Sequence, residues 1–288
     1  MRDDALVVRI GIFLVPSAEN PGALIRAVEE AERTGLELVG IQDHPYQRRF
    51  FDTWTLLSYL AARTERITLV PDVVNLPLRP PAVLAKAAAT LDVLSGGRVE
   101  IGVGAGAFWD GVAAMGGPRR TPGESVDALE EAMRIMRSFW DGEPVLRHDG
   151  EHYRVHGARP GPPPRHRIGL WVGAYGPRMM RLAGRLGDGW LPSLGGNYLA
   201  PGDVAPRVRI LEEAARKAGR DPAEIRRVAN VGLGASEGIR DPAEIARAAE
   251  LGFDTALVSV PAEDPVGYVR RLGEELAPRA RELAGGLG

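Results

Sequence analysis

A histidine beside an aspartate, at the end of a short β-branched run, is the first candidate for chemistry in this chain. Asp43 and His44 come two residues after the run at 38–41, which reads LVGI. A histidine titrates near neutral pH, so His44 can act as a general acid or base, donate a hydrogen bond to a cofactor, or bind a metal ion. A purely structural role in the loop is the alternative. The position and the adjoining acid favour function, and His44 is the candidate catalytic residue.

Two glycine-rich segments would let a ligand approach the backbone closely. Residues 102–106 read GVGAG after a strand-like run, and we expect a loop containing Phe108 and Trp109, not a helix, to follow. Residues 173–176 read GAYG, and the next residue, Pro177, suits the first position of a helix. Free amides and the helix dipole at such a start can bind a phosphate group. A tight turn and an ordinary loop are the respective alternatives.

Metal chemistry is not expected. The chain has no cysteine, which excludes zinc–thiolate sites, iron–sulfur clusters, disulfides and thiolate nucleophiles. His148, His152 and His156 have helical ligand spacing, but residues 149–150 read DG, a strong hairpin signal. Because hairpin side chains at this spacing would not converge on one face, we predict no metal site.

Short β-branched runs alternate with proline-marked helix starts, and this alternation predicts the scaffold. Strands are predicted near residues 7–14, 36–42, 67–74, 98–104, 168–173, 188–192, 227–234 and 255–260. Helices are predicted near residues 21–34, 53–64, 80–95, 122–140, 177–186, 203–219, 241–251 and 265–283. Units of about 30–40 residues are typical of parallel strands with right-handed crossovers. Eight of them predict an α/β fold, a (β/α)8 TIM barrel with its chemistry at the carboxyl ends of the strands.

One segment interrupts this rhythm. Residues 141–167 contain two alternating runs around the DG pair, and a proline-rich stretch at 160–164 follows. We therefore expect a hairpin insertion after the fourth helix, inside a single domain that covers residues 1–288.

Composition limits the partners. The 288 residues carry a net charge of −2, so the charge balance does not indicate binding to nucleic acid or to a membrane surface. No apolar run approaches the roughly 18 residues of a membrane span. Residues 1–4 read MRDD, which does not resemble a secretory signal, so we expect a cytoplasmic protein. Aromatic residues in or beside the candidate loops suit a flat ligand: Tyr46, Phe50, Phe51, Phe108, Trp109 and Trp190.

The order and spacing of these motifs resemble the bacterial luciferase-like monooxygenase superfamily of flavin- and deazaflavin-dependent oxidoreductases. The resemblance covers nearly the whole chain. It is carried by IQDH at 41–44, PAVLAK at 81–86, LSGGR at 94–98, GVGAG at 102–106 and LAGRLGDGW at 182–190. It implies the same barrel, with a cofactor ring in its mouth, and a homodimer is common among such proteins.

The resemblance also implies roles for individual residues. Asp43 and His44 match residues that contact the ring. Asp72–Val73 matches a backbone bulge behind the ring, and such a bulge can contain a non-proline cis peptide bond. Gly104, Ala105 and Gly106 would line the side of the ring. Gly173, Ala174, Tyr175 and Gly176 match the phosphate loop. Deazaflavin-dependent sugar-phosphate dehydrogenases of the superfamily carry a catalytic glutamate where this chain has Ala105, so that activity is not expected.

Two cofactors remain open. Coenzyme F420, a deazaflavin, would support hydride transfer, and FMN would support monooxygenation of an organic substrate; we favour F420. The alternative from another functional class is a non-catalytic flavin-binding barrel.

Overall fold

Eight parallel strands form one continuous sheet. The computed structural model describes residues 8–285. The strands, numbered along the chain, are β1 Arg9–Leu14, β2 Leu38–Ile41, β3 Thr68–Pro71, β4 Ile101–Val103, β7 Leu170–Val172, β8 Gly189–Trp190, β9 Arg226–Val231 and β10 Thr255–Ser259, with the antiparallel pair β5 Leu146–Asp149 and β6 Arg154–Ala158 outside the sheet. The order in the sheet is β3-β2-β1-β10-β9-β8-β7-β4, so the first and last strands are neighbours.

Parallel bridges between the two edges of this sheet close it into a barrel. Leu69 pairs with Val99, and Val74 pairs with Val103. The predicted TIM barrel is therefore confirmed. Its interior is filled by one buried apolar cluster whose members come from strands around the ring: Phe13, Leu38, Val70, Trp171, Leu191, Val228 and Leu257.

Helices surround the barrel, and most begin where the sequence predicts. They are α1 Pro21–Arg33, α2 Thr53–Ala61, α3 Pro81–Ser95, α4 Trp109–Ala114, α5 Pro122–Trp140, α6 Pro177–Leu186, α7 Pro201–Lys217, α8 Pro242–Glu250, α9 Pro265–Arg271 and α10 Ala277–Gly285. Thr121 caps α5 in a capping box with Glu124, which satisfies two amides at the helix start. Asp241 accepts a hydrogen bond from the Ala243 amide at the start of α8.

Several predicted boundaries were wrong. The loop expected around Phe108 and Trp109 contains the short helix α4, which begins directly after Phe108. The predicted strand at 188–192 is only Gly189–Trp190, because Pro192 has no amide to extend the ladder. The predicted last helix at 265–283 is divided by a π-helical turn at Leu272–Leu276.

The insertion forms the expected hairpin, but its turn differs. Strands β5 and β6 are antiparallel, and Asp149 lies within β5 opposite Arg154 instead of in a two-residue turn. Residues 150–153 form the connection. The Glu131 carboxylate of α5 accepts hydrogen bonds from the amides of residues 151–153, so a tertiary contact determines this turn.

A buried carboxylate binds the segment that connects the insertion to β7. Asp92 of α3 is fully buried, and its Oδ2 accepts a hydrogen bond of 2.7 Å from the Arg165 amide. Its Oδ1 lies 2.9 Å from Nδ1 of His166. Contacts with Asp92 and then Glu100 raise the pKa of His166 to about 10, so this pair is charged at neutral pH.

Within residues 8–285, no helix is both long and apolar enough to cross a membrane. The cytoplasmic location expected from the sequence stays a prediction. The expectation for residues 1–4 lies outside the described residues, and a single domain over 1–288 also stays a prediction.

Candidate functional site

The segments singled out in the sequence meet at the carboxyl ends of the strands. The Gly173 amide donates to the Val103 carbonyl over 2.8 Å. The Asn75 amide donates to Asp43 Oδ2 over 2.9 Å. The first contact joins β4 to the loop after β7, and the second joins the loops after β2 and β3. The bridge between Val74 and Val103 links these two pairs at the barrel mouth.

Asp43 is buried, and its carboxylate joins two of these loops. Only 1% of Asp43 is exposed. Its Oδ2 accepts from Arg79 Nε at 2.9 Å, and its Oδ1 accepts from Arg79 Nη2 at 3.0 Å. Burial alone would lower the pKa of Arg79, but Asp43 and Asp52 together hold it above its usual value. Asp43 therefore reaches the mouth as predicted, but both of its oxygens are already engaged by the protein.

His44 lies beside Asp43 in an aromatic cluster. Its ring is stacked on Tyr46 at a centroid distance of 5.5 Å, and it is tilted against Phe108 at 5.4 Å. Burial lowers the pKa of the half-buried His44 imidazole, and the charge of Asp43 opposes that effect only in part. His44 is therefore neutral at neutral pH and can accept a proton from a bound molecule or return one.

The bulge after β3 has the expected backbone. The peptide bond between Asp72 and Val73 is cis. The Val73 side chain packs on glycine backbone: a Cβ added to Gly104 would lie 2.8 Å from Val73 Cγ2, and one added to Gly173 would lie 3.4 Å from Val73 Cγ1. Because both positions are glycine, the Val73 side chain can pack directly against the backbone at the ends of β4 and β7.

The loop after β4 leads into α4. Gly104 is buried, Ala105 is half-buried and Gly106 is exposed. Gly106 has a φ of 103°, and a Cβ there would lie 2.8 Å from Cγ of Pro77, so only glycine suits the position. Phe108 then adopts a left-handed φ of 54° and exposes 62% of its surface at the mouth.

The loop after β7 ends at the start of α6, as predicted. Gly176 is the N-cap of α6 and has no side chain that could accept hydrogen bonds from the first helical amides. Pro177 is the first helical residue. The indole of Trp190 donates to the Ala174 carbonyl over 2.9 Å and fixes the base of the loop. Arg178 pairs with Asp127 of α5, so it is directed away from the loop. Amides at the start of α6 are therefore available to an anion.

Arg207 of α7 supplies a cation near this loop that the sequence did not indicate. Its Nε donates to the Tyr175 carbonyl over 2.8 Å. On the other side, the Tyr175 hydroxyl accepts a hydrogen bond of 2.9 Å from the Ser193 amide. Both contacts hold the loop, and Arg207 adds positive charge beside the helix start.

A buried polar cluster lies beneath the mouth. Asp72 Oδ1 accepts a hydrogen bond of 3.1 Å from Asn230 Nδ2. Within residues 8–285, Asp72 Oδ2, Asn75 Oδ1 and Asn230 Oδ1 are buried without a hydrogen-bond partner. Buried polar atoms are rarely left unpaired, so these three oxygens are exceptions to the usual pattern.

Sequence reasoning missed part of this arrangement and misplaced one aromatic residue. Asn230 is a polar residue at a buried position of β9, and that contrast was the available signal. Nothing in the sequence indicated that Arg79 would pair with Asp43. Trp190 is fully buried and packs on Phe253 at a centroid distance of 5.3 Å, so it belongs to the core and not to the mouth lining.

The sequence profile of luciferase-like monooxygenases matches residues 6–241. The chain belongs to this family. It is 35% identical over 222 residues to an F420-dependent glucose-6-phosphate dehydrogenase of Intrasporangium calvum. That match covers 74% of this chain and 65% of the relative, so this luciferase-like chain spans just under two thirds of the relative's length.

Two further proteins resemble this family member. A phthiodiolone/phenolphthiodiolone dimycocerosates ketoreductase of Mycobacterium kansasii is 36% identical over 179 residues, which are 61% of this chain and 47% of the relative. Among solved structures, an F420-dependent secondary alcohol dehydrogenase in complex with an F420–acetone adduct superposes with a TM-score of 0.82. The match covers 95% of this chain and 99% of that chain at 20% identity, which confirms the barrel alone.

Proposed function

We propose that this chain is an oxidoreductase that binds coenzyme F420 in the barrel mouth and transfers a hydride between it and a small organic molecule. The proposal is supported by the packing of Val73 against Gly104 and Gly173, where β3, β4 and β7 end, and by the neutral His44, which follows β2 at the same face of the barrel. Relatives named as F420-dependent, at 33–35% identity, support F420 over FMN.

Each part of the mouth has a role in this proposal. Bound F420 supplies the hydride acceptor or donor. Val73 and residues 104–106 would hold the ring. The backbone of residues 173–176 and the start of α6 bind the cofactor phosphate. His44 takes a proton from a substrate hydroxyl group, or returns one to a carbonyl group, and Phe108 covers the mouth.

The position of Ala105 limits the substrate class. The resemblance implies a glutamate there in enzymes that oxidise sugar phosphates, and alanine cannot transfer a proton. The substrate is therefore an organic alcohol or carbonyl compound, and glucose-6-phosphate is not expected to be one.

Turnover tests the proposal against its alternatives. Oxidised F420 is mixed with the protein and a panel of secondary alcohols without oxygen, and the loss of cofactor absorbance is followed. Catalytic loss of absorbance is expected. Oxygen-dependent turnover of reduced FMN would favour a monooxygenase, and binding without turnover in either system would favour a non-catalytic flavin-binding barrel.

Replacing Gly176, the N-cap of α6, with the larger residue valine should weaken F420 binding. In Gly176→Val, the added Cβ meets no atom within 4 Å, and φ is −80°, so the barrel should fold. Losing one hydrogen bond to a charged group costs about 1.5–3 kcal/mol. That corresponds to roughly ten- to a hundredfold weaker affinity in an absorbance titration.

The matched control is Gly202→Val in the first turn of α7, where an added Cβ also meets nothing within 4 Å. It should bind F420 as the wild type does. Unchanged affinity of Gly176→Val, or equal weakening in both variants, would place the phosphate site elsewhere.

A homodimer through α2 and α3 is a further part of this proposal. Neither helix carries charge at its exposed positions except Lys86, although surface helices usually have a charged outer face. Tyr59, Val83 and Leu94 expose 50%, 64% and 78% of their surfaces on this face. Contiguous exposed apolar groups of this kind mark interaction surfaces.

Light scattering should therefore give about twice the chain mass of 31.0 kDa. Leu94→Glu should give the monomer mass, whereas Leu283→Glu, a change at another exposed leucine on α10, should leave the dimer intact. A monomeric wild type would remove this part of the proposal.

A further inference from the structure

A cleft of about 440 Å³ lies at the amino ends of four neighbouring strands, on the face of the barrel opposite the mouth. Arg226 begins β9, and Glu100, Gly169 and Asp188 each stand one residue before β4, β7 and β8. The buried Trp171 of β7 also lines it. Because the candidate cofactor contacts lie at the carboxyl ends of the strands, this cleft is separate from the mouth.

Three arginines line the cleft, and two of them have little carboxylate pairing. Arg220, from the segment between α7 and β9, donates to the Gly184 carbonyl over 2.9 Å and forms no ion pair within residues 8–285. Arg226 lies 4.0 Å from Asp254, a long separation for an ion pair. Both guanidinium groups therefore keep N–H donors that a ligand can use.

The third arginine, Arg167, shares its carboxylate partner. Asp188 lies 3.2 Å from Arg167 and also pairs with Arg137 of α5. The same carboxylate accepts a hydrogen bond of 2.9 Å from the Leu170 amide. One negative charge therefore serves two guanidinium groups.

The other two carboxylates of the cleft do not change this picture. Glu100 accepts a hydrogen bond from the Gly169 amide, and its Oε1 lies 3.6 Å from Nε2 of His166, which is charged at neutral pH. Burial and then the charge of Arg167 lower the pKa of Arg220, and Glu224 opposes that effect only in part.

The arginines around the cleft repel one another. Burial and then Arg226 lower the pKa of Arg9 at the start of β1. Burial, followed by Arg167, likewise lowers the pKa of Arg137 to about 10. An anion bound between these groups would favour their charged forms and reduce the repulsion.

Phosphate is the anion that suits several guanidinium groups at once. Arginine offers planar pairs of N–H donors that match phosphate oxygens, and charge-assisted bonds of this kind are the strong ones. We propose that the cleft is a second binding site, which holds the phosphate group of a small molecule between Arg167, Arg220 and Arg226. The site is independent of the cofactor mouth.

Thermal melting with phosphate tests the proposal. Inorganic phosphate is added at constant ionic strength, with sodium chloride as the balancing salt. The melting temperature of the wild type should rise with phosphate concentration, because a ligand of the folded state stabilises it. Glycerol 1-phosphate serves as the second probe. A larger rise than with inorganic phosphate identifies a phosphate ester as the ligand, and an equal or smaller rise identifies the free ion.

Variants of the cleft locate the binding. Arg220→Gln and Arg226→Gln should each weaken phosphate affinity about tenfold or more, because each removes a charged donor. Arg226→Lys keeps the charge and should lose less. The matched control is Arg216→Gln on α7, an exposed arginine that pairs with Glu212 and does not line the cleft. A wild type without a shift, or equal shifts in all three glutamine variants, would overturn the proposal.

The start of α6 is the other place where phosphate could bind, and Gly176→Val separates the two. This variant should keep the response to phosphate, because α6 begins at the opposite face of the barrel. The F420 affinity of Arg226→Gln should equal that of the wild type. A phosphate response that is lost in Gly176→Val and retained in Arg226→Gln would place the anion at the mouth and overturn the proposal.

Discussion

Replacing His44 by alanine should lower kcat by about 10²–10⁴-fold, the usual cost of losing a general acid or base. The physical reason is the state of the imidazole: burial lowers its pKa, so it is neutral at neutral pH and ready to accept a proton. The half-buried ring stands in a loop between Tyr46 and Phe108, so its removal should leave the barrel folded. Steady-state turnover with F420, together with a melting curve, measures both effects.

The control is His156→Ala, which removes an exposed histidine in the hairpin insertion. Its kcat should equal that of the wild type. Because His44 works in its neutral form, wild-type activity should also persist at pH values below the ordinary histidine pKa of 6.5. Normal turnover in His44→Ala would show that His44 is a structural loop residue.

Replacing Asp43 by alanine should destabilise the protein by about 3–5 kcal/mol, the cost of removing one partner of a buried ion pair. Arg79 would lose both of its hydrogen bonds to Asp43, and the Asn75 amide would lose its acceptor. Since Asp43 joins the loops after β2 and β3, F420 binding should weaken as well. Denaturant unfolding measures the loss of stability.

Glu19→Ala provides the comparison, because Glu19 pairs with Arg49 on the surface, where both side chains are more than 60% exposed. Exposed pairs contribute about 0–1 kcal/mol, so this change should have little effect. An Asp43→Ala protein as stable as Glu19→Ala would mean that the Asp43–Arg79 pair does not hold the mouth together.

The barrel and most helix starts could be predicted because their signals are local. Pro122 at a first helical position and Thr121 with Glu124 at a capping box act within one turn, so the sequence alone indicates them. The segments at 43–44 and 173–176 could be assigned to the mouth for a related reason. Each lies within two residues of the end of a strand, and parallel strands all end at the same face.

The remaining features depend on contacts between distant residues. Arg79 finds Asp43 only once β2 and β3 are neighbours. Asn230 reaches Asp72 across the barrel interior from β9, a separation of 158 residues along the chain. The turn at 150–153 follows from Glu131 of α5 and not from the DG pair. Local propensity carries no information about such partners.

The most direct test of the central claim is an absorbance titration of the purified protein with oxidised F420 and, separately, with oxidised FMN. We expect saturable F420 binding at the barrel mouth that is weakened by Gly176→Val and unchanged by Gly202→Val. Binding of FMN with no affinity for F420, or F420 binding unaffected by bulk at Gly176, would contradict it.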